Sequence, residues 1–176
     1  MKNPVRNLTR KNNRNVMKRG NKNMNNKCLI CNRIIMIKKG TNPYFVKELE
    51  TGYVVIGDFQ FYKGYTLFFC KRHVAELHEL PKDFRKRFLE EMSLVAEAVY
   101  KAFQPTKLNY ELLGNTDRHC HWHIFPRYKD DPDSLNPVWV IEKDKRCAES
   151  ARPSREDLKN LKLTLKKELD KIVLRT

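Results

Sequence analysis

The chain has 176 residues, of which 40% are hydrophobic and 32% are charged, and its formal net charge is +15. This length suits one domain with its own core and an attached tail, and no run of about 18 apolar residues exists that would span a membrane. The five cysteines are scattered and odd in number, and the first residues lack the apolar run of a secretory signal, so we expect a cytoplasmic protein. The basic excess favours anionic partners such as nucleotides, nucleic acid or acidic membrane surfaces.

Residues 1–27 form a segment rich in Asn, Lys and Arg, and no acidic residue precedes Glu48. Such a segment cannot bury enough apolar surface to offset the entropy lost on ordering, so we predict a disordered basic tail over residues 1–27. Its function is open between a solvated tail and an arm that binds nucleic acid. A third interpretation follows from Met24, because a chain that starts there begins just before the first residues typical of a folded domain.

Hydrophobic patterns over residues 28–176 predict one domain with a C-terminal helical extension. Pro81 opens a long helix to about Phe103, since its apolar positions recur at helical spacing. Ser154, with Asp157 three residues later, resembles a capping box for a last helix over residues 159–172. The predicted strands are residues 44–48, 53–56, 65–70, 108–113 and 119–125, the first two as a hairpin. This order indicates an α+β protein built around a mainly antiparallel sheet.

The segment His119-Cys120-His121-Trp122-His123 places three of the five histidines at alternate positions. Alternate side chains of a strand share a face, so we expect the three imidazoles to line one surface and the residues between them to point into the core. Buried ring nitrogens need partners, so such a row costs stability unless it binds something. Imidazoles supply nucleophiles, proton donors or metal ligands near neutral pH, and a triad that only binds metal is an alternative.

This run resembles the motif of the histidine triad (HIT) family, His-φ-His-φ-His-φ-φ with φ apolar, in which His119, His121 and His123 take the histidine places. The resemblance extends over most of residues 28–138, which include an early Cys-x-x-Cys pair, the long helix and a Pro-Arg after the triad. The His-Trp-His subtype is similar to the bacterial diadenosine-polyphosphate hydrolase-like branch. The resemblance implies a HIT-like sheet, with a long helix and a C-terminal helix, and a homodimer built around the long helix and sheet edges.

The resemblance also implies a nucleotide hydrolase or transferase that cleaves at the α-phosphate through a covalent nucleotidyl-histidine. In this scheme His121 attacks the α-phosphorus, His123 contacts the phosphate oxygens and His119 holds the geometry of the triad. Dinucleoside polyphosphates, nucleoside phosphoramidates and acyl-nucleotides are the candidate substrates, and no organic cofactor is required.

Two other interpretations use the basic tail. One is a nucleotide- or nucleic-acid-binding module with a degenerate site, which the intact triad disfavours. The other is an enzyme that removes nucleotidyl groups from nucleic-acid ends while the tail holds the phosphate backbone.

Four polar residues are candidate nucleotide contacts. The resemblance places Asn115 and Thr116 near the phosphate oxygens and Asp58 near the ribose hydroxyls. Asn109 lies close to a position at which the family has an asparagine. Each of these residue types also suits an ordinary turn or cap. One departure is Tyr65, which stands where many HIT proteins have a histidine; a tyrosine donates a hydrogen bond to phosphate but carries no charge.

A Cys-x-x-Cys pair, Cys28 and Cys31, is by itself compatible with two unliganded thiols. Zinc sites usually have four ligands in a tetrahedron, drawn from thiolates and imidazoles. The resemblance supplies the other two as His73 and His119, and so implies a structural zinc site that orients His119. The three remaining cysteines are expected to be packing residues: Cys70, Cys120 and Cys147.

Removal of residues 1–23 tests the interpretation of the tail. Because this segment has few apolar side chains to contribute to a core, the protein starting at Met24 should fold and should hydrolyse a small nucleotide at a rate within about twofold of the full chain. Circular dichroism and the rate of nucleoside monophosphate release measure this. Loss of folding, or of activity toward the small substrate, would contradict the prediction.

Overall fold

A computed structural model describes residues 28–174, so the tail predicted over residues 1–27 lies outside the described residues. The strands are β1 (Phe45–Glu48), β2 (Gly52–Ile56), β3 (Thr66–Cys70), β4 (Lys107–Glu111) and β5 (His121–Arg127). The helices are α1 (Leu29–Lys38), α2 (Lys82–Phe103), α3 (Lys143–Arg146) and α4 (Arg155–Val173), with 3-10 turns at Leu77–Glu79, Val138–Val140 and Glu149–Ala151. No helix within this part of the chain has the length and apolar character needed to cross a bilayer.

The five strands form one antiparallel sheet in the order β1-β2-β3-β5-β4, which makes β1 and β4 the edges. The central strands β2 and β3 are buried along their whole length because both faces of the sheet are covered. On one face α2 and α4 pack against alternate side chains such as Val54 and Phe68. On the other face α1 packs against Val55, Leu67 and Phe69. Because α1 covers only part of this second face, the face of β5 remains available for a site.

Most of the predicted elements are confirmed, with ends that differ by a few residues. The helix α2 ends at Phe103, because the next residue, Gln104, adopts a left-handed conformation (φ 49°) and is followed by Pro105. The last helix begins earlier than predicted, at Arg155, because the Ser154 hydroxyl accepts a hydrogen bond from the Asp157 N–H. The helix α1 has no counterpart among the predicted elements. It begins after Cys28, whose sulfur accepts a hydrogen bond from the backbone N–H of Cys31, the third residue of the helix.

A buried carboxylate on α2, that of Glu91, joins this helix to the β1–β2 turn. One oxygen accepts from the Glu50 N–H at 2.9 Å, and the other accepts from the Thr51 N–H at 2.9 Å and from the Thr51 hydroxyl. The Arg87 Nε lies 3.6 Å from the first oxygen and provides a compensating charge. A buried carboxylate is tolerated when it is hydrogen-bonded and paired in this way, so Glu91 positions α2 on the sheet.

The substitution Glu91→Gln tests this contact. A glutamine keeps the shape but replaces one acceptor oxygen by an NH₂ donor, so at least one backbone N–H of the turn loses its acceptor, and we expect a loss of about 2 kcal/mol in the free energy of unfolding. Urea titration measures it. The matched control is Glu90→Gln, since Glu90 is an exposed partner of Arg87, and its loss should stay below about 1 kcal/mol. Equal stabilities of the two variants would show that Glu91 does not have this role.

Candidate active site

The strand β5 presents His121 and His123 on the face of the sheet that α1 leaves uncovered. His121 pairs with Phe69 of β3, and His123 pairs with Leu67. Phe69 and Leu67 pack against α1, so the two imidazoles lie on the same face of the sheet as this helix. A cavity of about 330 Å³ opens over both imidazoles. Its walls come from α1, from the aromatic β2–β3 connection and from the segment that follows β5.

A backbone hydrogen bond determines which nitrogen of His121 carries the proton. His121 Nδ1 lies 2.6 Å from the carbonyl oxygen of His119. A carbonyl only accepts, so Nδ1 is the protonated nitrogen, and the lone pair of the neutral ring is on Nε2. Burial lowers the pKa of His121 below its ordinary value, which favours the neutral ring. His121 therefore has the electronic form that a nucleophile needs.

His123 forms a hydrogen bond with the hydroxyl of Tyr65. The Tyr65 oxygen lies 2.5 Å from His123 Nδ1. Burial raises the pKa of Tyr65 far above its ordinary value, so the hydroxyl keeps its proton and can donate it to a neutral imidazole. Burial also lowers the pKa of His123 to about 3, with smaller contributions from His121 and Arg146. In the tautomer that accepts from Tyr65 at Nδ1, the neutral ring carries its own proton on Nε2, and β5 then offers a lone pair from one imidazole and an N–H from the next.

His119 lies before β5 and, unlike His121 and His123, does not line the cavity. Its backbone N–H donates to the Asp117 carbonyl at 2.7 Å, which keeps the residue in a turn, outside the strand. Its Nε2 donates to the Cys70 carbonyl at 2.8 Å, and the ring is buried. Burial lowers the pKa of His119 to about 4. The ring is therefore neutral, with its lone pair on Nδ1 and directed away from the cavity.

The lone pair of His119 Nδ1 faces three other potential metal ligands. It lies 3.6 Å from Cys28 Sγ, 3.5 Å from Cys31 Sγ and 3.3 Å from His73 Nδ1. The four ligand atoms all lie within 4.8 Å of one another, and both cysteines are free thiols. The structure thus brings together all four residues predicted to bind zinc, and two sulfurs with two nitrogens suit a tetrahedral ion.

Two of the predicted nucleotide contacts line the cavity. Asp58 does so while its carboxylate forms a bidentate pair with the Arg33 guanidinium of α1, one contact of which measures 2.6 Å. Thr116 lines the cavity on the side of the loop before the triad. The neighbouring Asn115 is exposed and does not contribute to the lining.

Asn109 lies on β4, where its Oδ1 accepts a hydrogen bond from Arg127 Nη1 at 2.9 Å, and it does not reach the cavity. The buried Arg127 guanidinium also donates to the carbonyls of Asn136, at 2.8 Å, and Asp133, at 3.2 Å, and pairs with Asp131 at 3.0 Å. Asn109 therefore helps Arg127 to fold the chain back over the sheet after β5.

Comparison with known proteins agrees with this geometry. The profile of the HIT domain matches residues 42–130. The chain is 31% identical over 112 residues to Protein hit of Bacillus subtilis (strain 168), covering 61% of this chain and 72% of that protein. The chain belongs to the HIT family. Members of this family are generally nucleotide-binding hydrolases or transferases.

Solved HIT structures share the fold. A histidine triad protein from Marinobacter aquaeolei VT8 aligns with a TM-score of 0.63 at 24% identity, covering 73% of this chain and 89% of that one. A zinc-bound histidine triad family protein from Mycobacterium smegmatis aligns with a TM-score of 0.58 at 19% identity, covering 81% and 96%.

The HIT profile ends at residue 130, and the segment beyond it supplies cavity residues that the sequence analysis did not identify. They are Trp139, Lys143, Arg146 and Cys147. Cys147 is partly buried and lines this wall, whereas Cys70 and Cys120, the other two cysteines expected to be packing residues, are buried. The signal in the sequence was a tryptophan close to a short basic run, a pattern too common to indicate a site by itself.

Proposed function

We propose that this HIT protein is a nucleotide hydrolase or transferase that cleaves nucleotide conjugates at the α-phosphate through a covalent nucleotidyl-histidine on His121. The observation that carries this proposal is the hydrogen bond from His121 Nδ1 to the His119 carbonyl. It leaves the Nε2 lone pair for attack on phosphorus without any general base to remove a proton. The proposed substrates are dinucleoside polyphosphates and related conjugates, on the basis of the resemblance to the diadenosine-polyphosphate hydrolase-like branch.

In the first step His121 Nε2 forms a bond to the α-phosphorus, and the bond from phosphorus to the leaving oxygen breaks with its electron pair on that oxygen. The ring becomes cationic, and its Nδ1–H remains hydrogen-bonded to the His119 carbonyl oxygen. In the second step a water oxygen bonds to phosphorus, the P–N bond breaks, the electron pair returns to Nε2, and the proton of water passes to solvent. Two easier displacements replace one difficult one.

The role proposed for His123 follows from its tautomer. Its Nε2–H is the donor in position to bind a non-bridging oxygen of the α-phosphate, whose charge is spread over these oxygens in the transition state. Tyr65 fixes this tautomer without adding charge, because it remains protonated. Tyr65 thus acts through His123, which accounts for a tyrosine where many family members have a histidine.

The nucleoside is proposed to bind next to α1. Asp58 is the proposed acceptor for ribose hydroxyls, since the pair with Arg33 orients its carboxylate. Thr116 is the proposed contact to phosphate oxygens. The geometry does not support a nucleotide contact for Asn109, because its amide oxygen already accepts a hydrogen bond from Arg127.

We further propose that Cys28, Cys31, His73 and His119 bind a structural zinc ion. The support is the donor set itself: two sulfurs and two imidazole nitrogens at mutual contact distance, one of them the lone pair of His119 Nδ1. The zinc-bound Mycobacterium smegmatis relative shows that a protein of this fold binds the ion. Four protein ligands leave no open position, so the ion would join the start of α1 to the turn before β5 and hold His119.

The homodimer remains part of the proposal. The strand β4 is an edge of the sheet, and its neighbourhood carries the half-exposed aromatic side chains of Tyr110 and, on α2, Tyr100. An edge strand beside exposed apolar surface is typical of a surface that pairs with another chain.

The variant His121→Ala tests the nucleophile. We expect turnover of a diadenosine polyphosphate to fall at least about 10³-fold, because no other group forms the intermediate, while AMP still binds. Release of AMP and equilibrium binding of AMP are the two measurements. The control is His78→Ala, since His78 is exposed on a 3-10 turn and takes no part in the site.

Intact-mass analysis of the acid-free quenched wild-type reaction should show one added nucleotidyl group, which is absent from His121→Ala. An adduct on another residue, or wild-type turnover in His121→Ala, would sink the mechanism. Binding of AMP without turnover by the wild type would favour a binding module instead.

The double variant Cys28→Ser, Cys31→Ser tests the zinc ion. Elemental analysis should find about one zinc per wild-type chain and almost none in the variant, whose thermal stability should fall more than its rate per folded molecule, since His121 is not a ligand. The control Cys147→Ser removes a thiol outside the cluster and should keep the metal. Wild-type protein that is metal-free and fully stable would refute the zinc proposal and leave the mechanism standing.

A further inference from the structure

One wall of the cavity is basic and comes from chain beyond the HIT match. Both Lys143 and Arg146 of α3 line the cavity that contains His121 and His123. This wall is held on the domain by Val138, which is fully buried. The proposed nucleophile and the two cations therefore line the same cavity although they belong to different parts of the chain.

The Arg146 guanidinium is held in place beside the triad. Its Cζ lies 4.5 Å from the centroid of the Trp139 ring, and its Nε donates to the Ile141 carbonyl at 2.8 Å. The same Trp139 ring lies edge-on to His123, with ring centroids 6.4 Å apart, and hydrogen-bonds the Glu111 carboxylate of β4. Trp139 thus connects His123 to Arg146, and stacking together with one hydrogen bond restricts the guanidinium.

The charges that line the cavity are unevenly paired. Arg33 pairs with Asp58, and Asp117 accepts from the backbone N–H at the start of α1. Within residues 28–174, neither Lys143 nor Arg146 forms an ion pair. The nearby carboxylate of Glu111 attracts Arg146 but forms its hydrogen bond with Trp139, so neither cation of this wall has a carboxylate in contact, and two such cations in one cavity wall suit an anion.

We propose that Lys143 and Arg146 form a subsite for the leaving group, and that this subsite selects conjugates whose leaving group is a phosphate or polyphosphate chain. This inference rests on the proposed function, because it is the step at His121 that places an electron pair on the departing oxygen. Cations that face this oxygen stabilise the charge as it develops, and an uncharged amine makes no use of them. Among the candidate substrates, the subsite therefore favours polyphosphates over phosphoramidates.

The first experiment measures binding without chemistry. Isothermal titration of the full chain with inorganic tripolyphosphate should give a Kd that rises about tenfold in Arg146→Gln and also increases in Lys143→Gln. The matched control is Lys145→Gln, because Lys145 is exposed on the same short helix and does not line the cavity. Arg146→Lys keeps the charge and should recover part of the affinity. An equal change in the Arg146→Gln and Lys145→Gln variants would overturn the subsite.

The second experiment compares two adenylyl substrates that differ in the leaving group, diadenosine tetraphosphate and an adenosine phosphoramidate that releases an uncharged amine. In Arg146→Gln, kcat/KM should fall about tenfold or more for the tetraphosphate and stay near wild type for the phosphoramidate. Equal losses for both substrates, or none for the tetraphosphate, would overturn the selectivity. If the wild type cleaves neither substrate, the proposed function fails, and the tripolyphosphate titration still decides separately whether the anion subsite exists.

Discussion

Two backbone carbonyls set the protonation pattern on which the site depends. The His119 carbonyl accepts a hydrogen bond from Nδ1–H of His121, and the Cys70 carbonyl accepts one from Nε2–H of His119. Each bond leaves the lone pair on the opposite nitrogen, so His121, the proposed nucleophile, faces the cavity with a lone pair, and His119, the proposed ligand, faces the cysteines with one. Because His119 takes part in both bonds, anything that fixes its ring also fixes the carbonyl that orients the nucleophile. The proposed zinc ion is such a restraint, with His119, the ligand nearest in sequence to β5, two positions before the strand.

Burial gives these bonds their effect. The imidazoles of His119, His121 and His123 all have pKa values lowered by burial, so all three rings are neutral at neutral pH and each has one donor and one acceptor nitrogen. A buried polar ring is tolerated when its nitrogens have partners, and the structure provides a different partner for each: a carbonyl and the Cys/His cluster, a second carbonyl, and the hydroxyl of Tyr65. Three residues of one type therefore acquire three roles from their surroundings.

The cavity combines the neutral imidazoles of His121 and His123 with a basic wall. The central strands are enclosed by helices on both faces, which makes the sheet a rigid support for β5. The opposite wall is a connection that Arg127 folds back across the sheet, with Trp139 between the triad and Arg146. In the proposed reaction, the neutral rings act on the transferred phosphoryl group and the cations of the basic wall act on the departing oxygen.

Patterns local in the sequence were sufficient for much of the fold. Alternation of histidines predicted that His121 and His123 share a face, apolar spacing predicted α2, and Ser154 predicted the cap of α4, because each of these features depends on contacts within a few residues. The run that forms α1 was not predicted, since isoleucines without clear periodicity suit a strand as well as a helix.

Only the tertiary structure decided the features that depend on distant partners. His119 lies outside the strand and donates a hydrogen bond to the carbonyl of Cys70, which is 49 residues away in the chain. Asn109 accepts a hydrogen bond from Arg127, which is 18 residues away. Arg146 stacks on Trp139, whose ring contacts His123, and no spacing in the sequence predicts either contact. Residue type and spacing thus determined which groups were available for chemistry, and long-range hydrogen bonds and burial determined which nitrogen of each histidine faces which partner, because those bonds exist only once the chain is folded.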